Sequence, residues 1–243
     1  MSAHPHSSSL VNREVLGELL HSVSQPLTTL RCSLELSLDE ESEQQQQAVT
    51  AALEQTENVI GMIQLMREYL DSEQGKDKES AIELTPVLQE VCEELRPLAM
   101  DRDIRLRMIG TCSAKMAISH DRIRKALHYL ISTMIELQSP GTKISVHLAG
   151  CTAGAVVWIQ GEVESPELKG LVPHGARQRP APNSFSDQRS QSTLRQDSVK
   201  AAMRRARLAI AARLLENAGA ALTIDQPAAE FVLRIPRLSG KGS

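Results

Sequence analysis

The chain has 243 residues, of which 41% are hydrophobic, enough to bury a sizeable core in one large domain or two small ones. Its charge is nearly balanced, with 27 Lys and Arg against 30 Asp and Glu, and aromatics make up only 2%. This excludes a molecule-wide polyanion-binding surface and the aromatic platform of a single-strand nucleic-acid binder. Cys32, Cys92, Cys112 and Cys151 lie far apart with no CxxC pair, so neither a zinc site nor a disulfide framework is indicated. The opening MSAHPHSSSL has no basic or apolar signal region, and no later run reaches the ~18 apolar residues that span a bilayer. The expectation is a soluble cytoplasmic protein with no membrane contact, whose residues 1–9 are a disordered start.

From Leu10 to Leu38 apolar residues fall at Leu16, Leu20, Val23, Leu27, Leu30 and Leu34, alternating steps of four and three that form a heptad stripe. After a polar break near Asp39–Glu43 the pattern resumes at Ala52, Thr56, Val59, Ile63, Met66 and Leu70. Residues 10–72 are therefore predicted to be an antiparallel helical hairpin, and its uncovered stripes predict a homodimer closed as a four-helix bundle. Residues 73–82 lie in a hydrophilic linker.

Beyond it the rhythm changes. A helix is predicted over 84–100, with Pro86 in its first turn where the missing N–H costs little. A strand follows at 104–110, a helix at 122–137, and strands at 144–150 and 155–161. Residues 165–198, rich in Pro, Gly, Ser, Gln and Arg, are predicted to be a mobile loop. A last helix, 199–218, precedes strands ALTID and EFVLRIP. The fold class expected is α+β, with no internal repeat.

HSVSQPLTTL (His21–Leu30) resembles the histidine box of bacterial sensor histidine kinases. LTPVLQEVCEELRPLAMDRDIRLRM, DRIRKALHYLISTMIELQSPGTKISV and RLAIAARLLENAGAALTI are similar, in this order, to helix–strand units of that family's ATP-binding domain. The resemblance covers roughly Leu10 to Leu238. It implies a dimerising hairpin that carries a phosphoaccepting histidine, followed over 83–238 by a Bergerat-type α/β sandwich.

The same resemblance shows where this sequence departs from the family. Asparagines that hold nucleotide-bound magnesium align with Tyr129 and Thr133, neither a good carbonyl ligand. The adenine-binding aspartate box aligns with IQGEVESPE, Ile159–Glu167, where only Gly161 survives. Glycines whose backbone would cradle phosphate align with Arg205 and Arg207. These two arginines are read either as an anion-attracting pair or as ordinary surface arginines on an exposed helix start. The sandwich is expected to bind no ATP and the chain no cofactor of its own.

His21 falls beside the hairpin seam and faces outward, with Pro26 removing the N–H that would bond to Ser22. The alternative is an exposed histidine with no role. The other six histidines, at 4, 6, 120, 128, 147 and 174, show no metal-ligand spacing. In the family an acidic residue follows the histidine and serves as base; here Ser22 stands there. A receiver domain would bring its own aspartate, magnesium and lysine, so exchange with phospho-aspartate asks little of the flanking residues. Gln25 lies one turn along the same face and is either an orienting group for water or partner, as the resemblance implies, or a solvated glutamine. Arg31 and Glu35 are either partner contacts or an exposed i,i+4 pair, and Thr28 joins Ser22 and Gln25 as a candidate partner contact.

The function expected is histidine phosphotransfer in a two-component phosphorelay, with His21 exchanging phosphoryl groups with response-regulator receivers. The rivals are a non-catalytic pseudokinase that binds a response regulator or an active kinase, and a divergent ATP-dependent kinase.

Overall fold

The computed structural model describes residues 42–74, 81–162, 177–178, 191–225 and 229–237, with helical positions 17, 20, 21, 23, 24, 27, 28 and 30–32 before them. The chain divides into two compact units, Met1–Asp71 with Asp187–Ala206, and Ser72–Ser186 with Arg207–Ser243.

In the first unit every described position between 17 and 32 is helical. Helix α1 spans Ser42–Gln74, a sequence with no proline and one glycine. That glycine, Gly61, admits the side chain of Met203: a Cβ there would lie 3.0 Å from Met203 Cε. The buried face of α1 is Ala52, Val59, Met62, Leu65 and Tyr69. Predicted seam residues Ile63 and Leu70 are instead exposed, with Leu53 and Ile60. The cause is a helix apolar on two adjacent faces: the doublets Val59–Ile60, Met62–Ile63 and Tyr69–Leu70 each place one member inside and one out. A strict seven-residue repeat and a straight 3.6-residue helix select different members.

In the second unit β1 (Ala81–Glu83) pairs antiparallel with β3 (Lys115–Ala117), a two-stranded sheet that sequence patterning missed because each strand has three residues. Helix α2 (Leu84–Asp101) follows β1 directly. It ends with Asp103 at φ 56 and with the Ile104 N–H donating to Ala99 O at 2.8 Å, a left-handed cap. Strand β2 (Arg105–Ile109), helix α3 (His120–Leu137) and strands β4 (Lys143–Cys151) and β5 (Gly154–Gln160) come next. Strand β6 is Arg177–Gln178, helix α4 is Gln191–Glu216, and strands β7 (Ala221–Asp225) and β8 (Glu230–Pro236) complete the order.

Among the described residues the main sheet has six strands in the order β2-β4-β5-β8-β7-β6. The β2–β4 and β6–β7 pairs are parallel and the others antiparallel. Alternate residues of its strands, among them Val146, Val157, Ile159, Phe231 and Leu233, are buried. Helix α2 packs on α3 and β2, and α3 on β5. The apolar helix faces, Leu84, Leu88 and Val91 on α2 and Ile123, Leu127, Leu130 and Met134 on α3, are fully buried. The unit is a mixed α+β sandwich with an aliphatic core.

The predicted loop at 165–198 lies mostly outside the described residues. Where it is described it is corrected: Arg177–Gln178 is an edge strand and α4 starts at Gln191, not 199. No proline or glycine lies between Gln191 and Glu216, so nothing delays the helix until Val199. Its end is set by Gly219 at φ 69, with the Ala220 N–H bonded to Leu215 O at 2.9 Å. Among the described residues no helix is long and apolar enough to cross a membrane.

Candidate functional site

His21 is helical and exposed. Helical spacing puts Ser24, Thr28 and Arg31 on its face at steps of three, four and three, and all are exposed. Two of these side chains are tied down: Ser24 Oγ donates to Leu20 O at 3.0 Å, and Thr28 Oγ1 donates to Ser24 O at 2.9 Å. The two hydroxyls thus bond back to carbonyls of the preceding turn. Leu20 and Leu27, seven residues apart, are exposed beside this row. Ser22, Gln25 and Glu35 lie outside the described residues. Sequence reasoning passed over Ser24, although its distance of three residues from His21 was the signal available.

The degenerate nucleotide positions belong to the second unit, except Arg205. Thr133 in α3 is fully buried, and among the described residues its Oγ1 has no hydrogen-bond partner. Tyr129, one turn earlier, is half-buried, and its carbonyl accepts from Ser132 Oγ at 3.3 Å. Ile159 is fully buried on the core face of β5. Gly161 follows β5, with its N–H donating to Ala229 O at 3.3 Å. A Cβ at Gly161 would overlap the Gln138 amide nitrogen and lie 2.8 Å from Met134 Sδ. Gln138 Nε2 donates to Met134 Sδ at 3.5 Å, while its Oε1 accepts from the Glu162 N–H at 2.9 Å. The end of α3 is thereby joined to the chain leaving β5.

Arg207 pairs with Glu136 of α3, and both side chains are about 21% exposed. This corrects the reading of Arg205 and Arg207 as surface arginines on an exposed helix start. Helix α4 begins at Gln191, so both stand in its interior, half-buried. Arg205 falls in the part of α4 grouped with the first unit. The structure therefore gathers Gln138, Met134, Gly161 and Glu162 at one place and joins Arg207 to Glu136. Sequence reasoning singled out neither Gln138 nor Glu136, because neither matched a position with an expected role. Among the described residues no group of three or more His, Cys, Asp or Glu side chains is placed to hold a metal ion.

No family model matches the sequence, and no curated protein does. Solved structures do. The histidine kinase AdeS of Acinetobacter baumannii aligns at a TM-score of 0.60 and 14% identity, over 91% of this chain and 98% of that one. A histidine kinase from Burkholderia phymatum STM815 aligns at 0.47 and 16% identity, over 91% and 98%. A bacterial phosphotransferase aligns at 0.44 and 16% identity, over 97% and 98%. On the first of these correspondences, the chain has a histidine-kinase-like fold.

Proposed function

We propose that this protein is a cytoplasmic histidine phosphotransfer protein of a two-component phosphorelay, built on a histidine-kinase scaffold that does not use ATP. The observation that carries the reading is His21, exposed on one helix face with Ser24, Thr28 and Arg31. In this reading residues 10–72 form the phosphotransfer hairpin and 83–238 the degenerate ATPase-like domain. The unprotonated ring nitrogen of His21 attacks the phosphorus of a receiver's phospho-aspartate. The N–P bond forms as the acyl-phosphate O–P bond breaks, and the aspartate leaves as carboxylate. The reverse step delivers the phosphoryl group to a second receiver, with magnesium held by the receiver in both steps. Thr28, Arg31, Ser22, Gln25 and Glu35 are the proposed partner contacts, and Gln25 is proposed to orient the incoming group.

The residues at the degenerate positions do not fit a magnesium nucleotide. Such a ligand needs carbonyl or carboxylate oxygens for the metal and open backbone N–H groups for phosphate. Here the Thr133 hydroxyl is fully buried. The Gln138 amide stands against Gly161, and Glu136 is held by Arg207. Exposed Leu20, Leu27, Leu53, Ile60, Ile63 and Leu70 support closure of the hairpin as a homodimer, since a monomer leaves these side chains in water.

The test is incubation with a receiver domain carrying labelled phospho-aspartate. Label is expected on the wild-type chain and absent from His21→Ala. No transfer, or label that persists in His21→Ala, sinks the reading, and saturable binding of magnesium ATP by calorimetry removes its second half.

A further inference from the structure

The six-stranded sheet has a second face, opposite the helices, and register places its side chains in rows. Ile109, His147, Trp158, Val232 and Thr223 stand opposite one another across five strands. Trp158 is the only tryptophan of the chain. It and His147 are half-buried, Val232 is buried, and Ile109 is 46% exposed. A neighbouring row, two residues along the strands, begins with Arg107 and Ser145; beyond it Arg105 pairs with Lys143. All three cations are exposed, and among the described residues none has an ion-pair or side-chain hydrogen-bond partner. Glu230 and Asp225 lie at the far end of the Arg107 row, and exposed Asp103 stands at the corner beside Gly141; Glu230 is buried and accepts from Gln160 Nε2 at 2.9 Å.

One corner of the face carries three cations with no ion-pair partner among the described residues, in a molecule of net charge −3. The row that holds Ile109, His147 and the Trp158 indole lies beside it, one two-residue step of about 7 Å along β2 and β4. We infer that this face docks a polypeptide segment with carboxylates at one end and large apolar side chains immediately after them. The carboxylates would meet Arg105, Arg107 and Lys143, and the apolar residues would lie on Ile109 and Trp158. Carboxylates complement three exposed cations that have no ion-pair partner among the described residues, and such complementarity acts on orientation and partner choice. Trp and Arg are the residue types that dominate binding surfaces. A nucleic-acid strand fits less well: one indole gives one stacking site, and a net negative molecule repels a polyanion at range. The surface is independent of His21.

The experiment uses the full-length protein and a fluorescein-labelled peptide of four glutamates followed by Val-Phe-Val-Phe. Saturable anisotropy is expected, with a change in Trp158 emission at the same midpoint. Binding should weaken about tenfold in Arg107→Glu/Lys143→Glu, whose exposed positions leave the far-UV spectrum unchanged, and weaken as salt is raised. It should be lost when the glutamates are replaced by lysines or the apolar residues by serines, and kept in His21→Ala. Absence of binding, equal binding by the charge-reversed variant, or equal binding of the lysine peptide overturns the inference. Tighter binding of an oligothymidylate of equal charge overturns it in favour of nucleic acid.

Discussion

Thr85 and Cys112, 27 residues apart, exchange two hydrogen bonds: Thr85 Oγ1 donates to Cys112 O at 3.0 Å and accepts from the Cys112 N–H at 2.9 Å. One hydroxyl at the start of α2 thereby satisfies both backbone groups of a residue between β2 and β3. Thr85→Val keeps the shape and leaves a part-buried donor and acceptor unmet. It is expected to lower stability by about 1–3 kcal/mol, read as a fall in the urea midpoint at unchanged slope.

On the helix side of the same unit, Arg124 of α3 bridges two carboxylates of α2, with Nε to Glu90 at 2.7 Å and Nη2 to Glu94 at 2.6 Å. His120 stands 3.6 Å from Glu90, and His128 stands 3.7 Å from Glu94. Without the guanidinium, two like charges one turn apart would face each other. Arg124→Ala is expected to cost about 0.5–1 kcal/mol in dilute buffer and less at 1 M salt, because the pair is part exposed and screened. Thermal unfolding at two ionic strengths checks this.

Burial pushes the Cys92 thiol from 9.0 up to about 11, opposed by Arg96 and assisted by Glu93. The folded state holds this proton more tightly than the unfolded chain. Its contribution is therefore fully present below pH 9.0 and is lost as pH rises through about 11. Urea midpoints measured across that window should fall more steeply for the wild type than for Cys92→Ala. At neutral pH, alkylation should label exposed Cys32 and Cys151 well before Cys92.

Two glycines should respond in opposite directions. Gly110 has φ 87, and a Cβ there would overlap Leu148 O, a backbone atom that cannot turn aside. Gly110→Ala is expected to cost more than about 2 kcal/mol. Gly17 is helical and exposed, with nothing within 4 Å of an added Cβ. Gly17→Ala should be neutral or stabilise by up to about 1 kcal/mol. Chemical denaturation of the two variants separates backbone strain from helix propensity.

If the hairpin dimerises through its exposed stripe, Ile60→Asp/Ile63→Asp should yield a monomer by sedimentation velocity at micromolar concentration. A dimer unchanged by this pair would move the interface elsewhere.

Much of this fold could be read in the sequence, for physical reasons that differ by element. Helices α2 and α3 and strands β4, β5, β7 and β8 carry strong periodicity, since each presents one face to an aliphatic core. Strands β1, β3 and β6 have three, three and two residues, too few for any alternation to show. Helix α4 was read too short because its first turns, QSTLRQDS, have the composition of a loop. In α1 adjacent apolar residues fitted two registers equally, and only packing decides between Met62 and Ile63. The motif and the stripe single out His21 as an outward-facing helical residue, and it is helical and exposed. The Arg207–Glu136 pair was not legible, because partners 71 positions apart leave no local trace.

The pairing at the middle of the sheet has a kinetic consequence. Gln160 of β5 and Glu230 of β8 lie side by side in the sheet yet 70 positions apart in the chain. Before that pair forms, the α2–β2 and α3–β5 contacts can already be made within one continuous stretch. The sandwich is therefore expected to condense first around residues 84–160 and to wait for the C-terminal hairpin β7–β8 to slot in beside β5, a closure whose entropy must be met before its contacts form. Because that entropy grows only about 0.6 kcal/mol for each doubling of the loop, the intervening chain is free to change length during evolution with little effect on the finished fold.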